Sequence, residues 1–407
     1  MIKNFLSCLV LAVVLIIGAS NMSIAKDSSW DKVFPKSDKV DVKKVSFTNR
    51  FGIKLAGDLY IPKNISKDEK LAAIAISGPF GAVKEQASGL YAQTLAERGF
   101  ITLAFDPSYT GESGGTPRNV ASPDINTEDF SAAVDYLSNY KNVNPEKIGI
   151  LGICGFGGFA LNAAQIDTRI KATVTSTMYD MTRVSAKGYN DSIDENGRYD
   201  LKVQLNNQRT LDFKNGTYAG APGLPEKLTG EEPQFVQDYY GYYKTKRGFH
   251  KNSINSNGHW NVTSSLSLIN LPILAYSSEI RTPVLMIHGA NAHSRYFSED
   301  AYKKLKGTNK ELLIIEGANH VDLYDNLEKI PFENASAGQQ ATALLYILLN
   351  QEGEPLLIDQ PEDDLDNKII YDEVISSIVK KKQGIQFIFA THNANIPVLG
   401  DAERVLV

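Results

Sequence analysis

Between Lys147 and Gln165 the chain reads KIGILGICGFGGFALNAAQ: a β-rich run, then Gly152-Ile153-Cys154-Gly155, a glycine pair, and a helix-like stretch. Such a segment turns abruptly from strand to helix. Glycines beside the turn tolerate a strained backbone, and the following helix brings N–H groups and the positive end of its dipole to the thiol, an arrangement that favours a thiolate. Cys154 is therefore the candidate nucleophile, set against the plainer reading of a buried small apolar residue. Phe156 stands two places after it, where a small residue suits such a turn, with the glycines displaced to Gly157 and Gly158.

The surrounding pattern specifies the fold class. Asp41 to Asn49 and Ile53 to Pro62 read as two strands about the turn Arg50-Phe51-Gly52. From there strands and helices alternate: a strand over Leu71–Ser77, a helix over Gln86–Arg98, a strand over Phe100–Phe105, a helix over Glu128–Asn139, and the strand Lys147–Ile153 that delivers Cys154. Ile170–Ser176, Pro283–His288 and Glu311–Glu316 continue the strands. This alternation implies an α/β fold with a mostly parallel central sheet covered on both faces. Between about 180 and 280 it lapses into a Tyr-, Asn- and Gly-rich stretch, including Asp238-Tyr239-Tyr240-Gly241-Tyr242-Tyr243 and Asn257-Gly258-His259-Trp260. An insertion there lies over the carboxyl ends of the strands, so it reads as a cap whose aromatics line a pocket.

A chain of 407 residues, 43% hydrophobic, can bury one large core, and a net charge of −5 offers no electrostatic reason to expect nucleic acid. Lys3 precedes an apolar run from Phe5 to Gly18, and Ser23-Ile24-Ala25 supplies a small-x-small cleavage pattern, so residues 1–25 read as a secretory signal and the mature chain as secreted or periplasmic. The run is short for a bilayer span, and no stable membrane insertion is expected after cleavage. Cleavage after Ala25 removes Cys8 and leaves Cys154 as the only thiol, consistent with a cysteine kept for chemistry.

Four further stretches recur in order with the Cys154 turn: Gly78-Pro79-Phe80-Gly81-Ala82-Val83-Lys84-Glu85-Gln86, Ala104-Phe105-Asp106, Gly111-Glu112-Ser113-Gly114-Gly115, and Gly317-Ala318-Asn319-His320. On these, residues from about 40 to 332 resemble an α/β-hydrolase of the dienelactone-hydrolase-like group, whose members carry Cys or Ser at this turn. The resemblance implies His320 as general base and an oxyanion hole made by the backbone N–H groups of Phe80 and Gly155. The acid that would orient His320 is left open: Ala292 stands where Asp is usual, and Asn291, Glu299 and Asp322 are the candidates. Glu85 reads as a surface carboxylate opening a helix, in preference to a group near the oxyanion loop that holds the resting thiol, and His288 as structural. No pair among the six histidines has metal-ligand spacing, so neither metal nor cofactor is expected. The implied activity is hydrolysis of a carboxylic ester, thioester, lactone or small amide through a Cys154 acyl-enzyme, on a small-molecule substrate. The alternatives are a ligand-binding relative without turnover and an ATPase-related function carried by the C-terminal segment.

From about Glu333 the sequence changes character. Ser336-Ala337-Gly338-Gln339-Gln340, Pro355-Leu356-Leu357-Ile358-Asp359-Gln360-Pro361-Glu362 and Phe387-Ile388-Phe389-Ala390-Thr391-His392-Asn393 resemble the signature, Walker B and switch segments of ABC- and SMC-like ATPases. The resemblance implies Mg²⁺ binding by Asp359, water activation by Glu362 and phosphate sensing by His392. The chain contains no G-x-x-x-x-G-K-[ST], so the phosphate cradle is missing. Residues 334–407 are therefore expected to be an incomplete ATPase-like fragment, fused or misjoined, or half of a split ATPase, and residues 26–333 the hydrolase domain.

Overall fold

The computed structural model describes residues 30–327 apart from Asn64, together with Lys329, residues 356–359, Val379, and residues 386–391 and 401–403. Two units divide the chain, Met1–Asp31 and Lys32–Val407, and the description below concerns the second. The expected signal segment lies outside the described residues, as do Glu362 and His392.

Eight strands form the central sheet: β1 (Val40–Thr48), β2 (Lys54–Pro62), β3 (Leu71–Ser77), β4 (Ile101–Phe105), β5 (Val143–Ile153), β6 (Ala172–Ser176), β7 (Val284–Gly289) and β8 (Lys310–Ile315). Their order is β1-β2-β4-β3-β5-β6-β7-β8. β1 and β2 pair antiparallel, as do β2 and β4, and every later neighbour is parallel. The five residues of β4, ITLAF, are all buried, as a strand covered on both faces must be.

Helices α1 (Ala87–Ala96), α2 (Pro123–Ser138) and α3 (Gly155–Ile166) link these strands. All ten residues of α1 are buried. α2 begins five residues before the expected Glu128, because Ser122 caps it and Pro123 occupies its first turn, where a missing N–H costs nothing. The core between sheet and helices is rich in rings: Phe105 meets Phe130 edge-on at 5.4 Å, and Phe156 meets Phe159 at 5.1 Å. Phe156, the residue that departs from the expected pattern at the turn, is thus spent on the core.

The stretch from 180 to 280 is more helical than its composition suggests. It contains α4 (Met181–Lys187), α5 (Glu195–Asn215) and α6 (Gln234–Tyr243), with a two-residue ribbon joining Gly220–Ala221 to Trp260–Asn261. α5 escapes the sequence pattern because only Leu205 and Asp212 of its 21 residues are buried, so no apolar stripe marks it. In the C-terminal segment, Leu356–Asp359 pairs in parallel with Phe387–Ala390 as a separate two-stranded sheet. A parallel strand pair recurs in many α/β folds and does not by itself make a nucleotide site.

Candidate active site

β5 delivers Cys154 into a conformation that side chains rarely adopt, φ 56° and ψ −126°, and α3 begins at the next residue. Strain of this kind persists only where the surroundings impose it. Here Gly152 passes so close to α3 that a Cβ would lie 2.1 Å from the Phe156 carbonyl oxygen, and a Cβ on Gly78 would lie 2.3 Å from that of Ile153. The backbone is also tied on both sides: Cys154 N–H donates to the Ser176 carbonyl, and the Cys154 carbonyl accepts from Tyr179 N–H, each at 2.9 Å.

The thiol is buried, only 6% exposed, and faces the N–H groups of Phe80 and Gly155 and the hydroxyls of Tyr324 and Tyr239. Burial pushes the thiol up from its ordinary pKa, opposed by hydrogen bonds from Tyr324, from the two backbone N–H groups and from Tyr239. This corrects the expectation of a thiolate favoured by the helix end: desolvation outweighs those donors, and the resting group is a neutral thiol. Alkylation of Cys154 by iodoacetamide is accordingly expected to be slow at neutral pH and to rise only above the usual thiol range. A rate plateau reached below pH 8, followed by mass spectrometry of the Cys154 peptide, would contradict that.

The loop carrying Phe80 is held from the cap. Asn255 Nδ2 donates to the Phe80 carbonyl at 2.8 Å, Ser253 Oγ donates to that of Gly81 at 2.9 Å, and the Phe80 ring stacks on Trp260 at 4.1 Å. These bonds turn both carbonyls toward the cap and leave the Phe80 N–H for the thiol side. Behind the loop lies a charge cluster. Lys84 Nζ donates to Glu85 at 2.5 Å, to Glu112 at 2.7 Å and to Asp106 at 3.1 Å. Glu85 is 1% exposed, so the expected surface carboxylate is in fact buried, and burial pushes its carboxyl up to about 7.

His320 sits beyond β8, buried, with its Nε2 at 3.1 Å from Tyr324 Oη and 3.2 Å from Thr177 Oγ1. Tyr324 therefore touches both the thiol and the imidazole. The other ring nitrogen, Nδ1, lies 2.5 Å from Ser294 Oγ. Ser294 Oγ in turn lies 2.9 Å from His288 Nε2, and His288 Nδ1 lies 2.7 Å from Ser298 Oγ. Desolvation, with His293 and His288 beside it, pushes His320 well below the ordinary imidazole range, and burial brings His288 down to about 3 and His293 to about 4.

The hydrogen-bond partners of the His320 ring are Thr177, Ser294 and Tyr324, and none of the three sequence candidates is among them. Asn291 is exposed, with its N–H donating to the Ala318 carbonyl. Glu299 accepts from Arg295 Nε at 2.7 Å, and Asp322 accepts from the Asn319 N–H and from Lys329, each at 3.0 Å. Ser294 holds the position instead. A serine is neither carboxylate nor amide, and its spacing carries no signal in the sequence; its proximity follows from the close approach of β7 to the His320 loop, where a Cβ on Gly289 would meet the Ala318 carbonyl oxygen at 2.4 Å. His288, read as structural, belongs to the same chain of contacts.

The cap closes over these groups with tyrosines from α6. The Tyr239 ring meets that of His320 edge-on at 5.3 Å, and Tyr242 meets Tyr324 at 5.1 Å. Tyr179, after β6, approaches His320 from another side at 6.0 Å. The groups around thiol and imidazole are thus hydroxyls, imidazoles and rings.

Residues 52–322 match the family model described as X-Pro dipeptidyl-peptidase (S15 family). The Pseudomonas aeruginosa protein PA2218, described as uncharacterized, is 60% identical over 317 residues, covering 78% of this chain and 85% of that one. Its crystal structure superposes with a TM-score of 0.73, over 77% of this chain and 98% of the other. YcjY of Escherichia coli, also described as uncharacterized, is 36% identical over 285 residues, 69% of this chain and 92% of that one. The thiohydrolase aneE of Aspergillus aculeatus is 33% identical over 131 residues, 32% of this chain and 40% of that one. These matches carry the α/β-hydrolase type and not the narrower dienelactone-hydrolase-like grouping, and none of them reports an ATPase segment. With the strand order, the strained turn at Cys154 and a family model spanning most of the sheet, the chain belongs to the X-Pro dipeptidyl-peptidase (S15) family of α/β-hydrolase-type proteins.

Proposed function

We propose that this protein is an exported hydrolase that cleaves an uncharged carboxylic ester, thioester, lactone or small amide through an acyl-enzyme on Cys154. The observation that carries the reading is the seat of the thiol, on a strained turn between the N–H groups of Phe80 and Gly155 and sharing Tyr324 with His320. The family's nucleophile is a serine, and a thiol at this turn keeps the geometry while changing the attacking atom.

In this mechanism Sγ attacks the carbonyl carbon, its proton passes to His320 Nε2, and the carbonyl electron pair moves onto oxygen between the two N–H groups. Collapse expels the leaving group, which takes the proton from His320. Water then repeats the sequence on the thioester and frees Cys154. The depressed imidazole is unprotonated at rest over the whole neutral range and, once protonated, a strong acid for the leaving group; the same depression makes it a weak base toward the raised thiol, so that proton must move as Sγ attacks.

Removing a dipeptide requires a partner for the substrate's free amine, and the groups around Cys154 and His320 are neutral. That favours an acyl group without charge, and the thiohydrolase name of one relative adds thioesters to the first panel. The full chain assayed on p-nitrophenyl esters of increasing acyl length, the matching acyl thioesters, and an X-Pro-p-nitroanilide is expected to turn over the esters or thioesters and to spare the anilide. Turnover of the anilide alone would reverse the reading, and no turnover of any would favour a binding protein.

A further inference from the structure

Three buried side chains outside the expected machinery stand in line behind His320. His288 is the next-to-last residue of β7, Ser294 stands at the N-cap position of the helix Arg295–Lys304 without bonding to it through its side chain, and Ser298 lies one turn into that helix, so the His288 ring is held between two hydroxyls four residues apart. All three are fully buried. A buried polar group is retained at a cost unless it is hydrogen-bonded, and here both ring nitrogens of His288 and the Nδ1 of His320 each meet a serine hydroxyl.

We propose that Ser294 and His288 are positioning residues that do for His320 what a carboxylate does in the usual triad, holding the ring and keeping its proton on Nδ1. The inference rests on the hydrolase reading above for its kinetic consequences, but not for its structural ones. Two polarities satisfy the chain. In one, His320 Nδ1–H donates to Ser294 Oγ, Ser294 O–H donates to His288 Nε2, and His288 Nδ1–H donates to Ser298 Oγ. His320 Nε2 is then bare, and the Thr177 and Tyr324 hydroxyls have an acceptor in it. The reverse polarity puts the proton on Nε2 and removes the base. A carboxylate enforces the first by being unable to donate; a serine does not, so the relay holds the ring and the choice of polarity falls to the Thr177 and Tyr324 hydroxyls, for which a bare Nε2 is the acceptor.

A neutral relay also leaves the imidazole without a stabilising anion. The titratable groups facing His320 are His288 and His293 from the segment after β7, Tyr324 from its own loop, Tyr239 from α6, Tyr179 after β6, and Cys154 at the turn. None is a carboxylate. The acid limb of the pH profile is therefore expected below that of a triad with an aspartate, and a carboxylate placed at 294 should bring it back up, because an anion beside the ring favours its charged form.

The test uses the full chain as wild type, Ser294→Ala, Ser294→Thr and Ser294→Asp. Long-range ¹H–¹⁵N spectra of the histidine rings need no substrate: the wild type is expected to carry the His320 proton on Nδ1, and Ser294→Ala to mix or reverse the tautomers while Ser294→Thr preserves them. On the ester or thioester that the wild type turns over, Ser294→Ala is expected to lower kcat by about tenfold to a hundredfold with KM little changed, the scale of a misplaced catalytic group. Ser294→Thr should recover most of it, and Ser294→Asp should move the acid limb to higher pH. A wild-type proton on Nε2, or a tautomer indifferent to Ser294→Ala, overturns the proposal whether or not a substrate has been found. Full Cys154-dependent activity in Ser294→Ala overturns it as well, and leaves the hydrolase reading standing. A wild type that is inactive on every ester and thioester, yet shows the Nδ1 tautomer and its dependence on Ser294, supports the relay and defeats only the hydrolase reading.

Discussion

The Cys154→Ala chain is expected to fold like the wild type and to hydrolyse the best ester or thioester at least about a thousandfold more slowly, because nucleophile, base and oxyanion hole act as one unit. Alanine fits the site sterically, since the thiol is buried and its loss removes one atom. The turn keeps its strain, set by Gly152, Gly78 and the paired backbone bonds rather than by the side chain. His320→Ala should cost a similar factor, and the double variant should be little worse than either single one. Cys154→Ser is the informative intermediate. A hydroxyl holds its proton far more tightly than a thiol and so depends more on His320, whose depressed basicity makes it a weak partner; a partial activity, well below that of the cysteine, is expected. Rates for Cys154→Ala within tenfold of wild type on every substrate would move the chemistry away from this turn.

Lys84→Met is expected to destabilise the fold by about 3–5 kcal/mol at neutral pH, the usual cost of removing one partner from a buried ionic group. The Lys84 ammonium holds Glu85, Asp106 and Glu112 together, meeting Glu85 through Oε1, while Glu85 Oε2 is buried without a hydrogen-bond partner among the described residues. Replacing the lysine with an apolar chain of similar length leaves Glu85 and Asp106 buried against each other with no cation between them. The pH dependence separates this from simple loss of packing. In the wild type, burial raises the Glu85 carboxyl from 4.5 to about 7, so the folded state binds that proton more tightly than the unfolded one. Its contribution favours folding below about 4.5 and is lost as the pH rises toward 7. Without Lys84 the Glu85 carboxyl loses the cation that holds it down and is raised further, so the variant's deficit should shrink on acidification from pH 7 to 5 and widen above 7. Denaturant melts of both chains across that range measure it. A deficit independent of pH would mean that the cluster contributes through packing alone. Because the loop from Phe80 to Gln86 carries one of the two N–H groups at the thiol, the same variant should also lose activity under conditions where it remains folded.

The strand and helix order was legible in the residues because both periodicities are local. Leu71–Ser77 falls on its observed bounds, and the remaining sheet strands lie within four residues of theirs, since burial on two faces writes continuous apolar runs. The turn at Cys154 was legible for a related reason: close backbone approach admits only glycine, and glycine is visible in sequence. What failed were the features whose cause is distant. α5 shows no apolar stripe because it packs through so few residues. Glu85 looks like a helix-opening surface carboxylate until the loop is folded onto Asp106 and Lys84. The thiol looks poised for ionisation beside a helix end until α6 and Tyr324 shut water out, after which desolvation prevails over the dipole. Above all, the partner of His320 could not be read along the chain: carboxylates and amides are the residue types that mark such a role in sequence, whereas the approach of β7 to the His320 loop brings up a serine with a second histidine behind it. Local pattern determined which elements exist and where the nucleophile turns. Burial and the meeting of residues far apart in the chain, which are properties of the packed molecule, decided how each titratable group is charged and what orients the base.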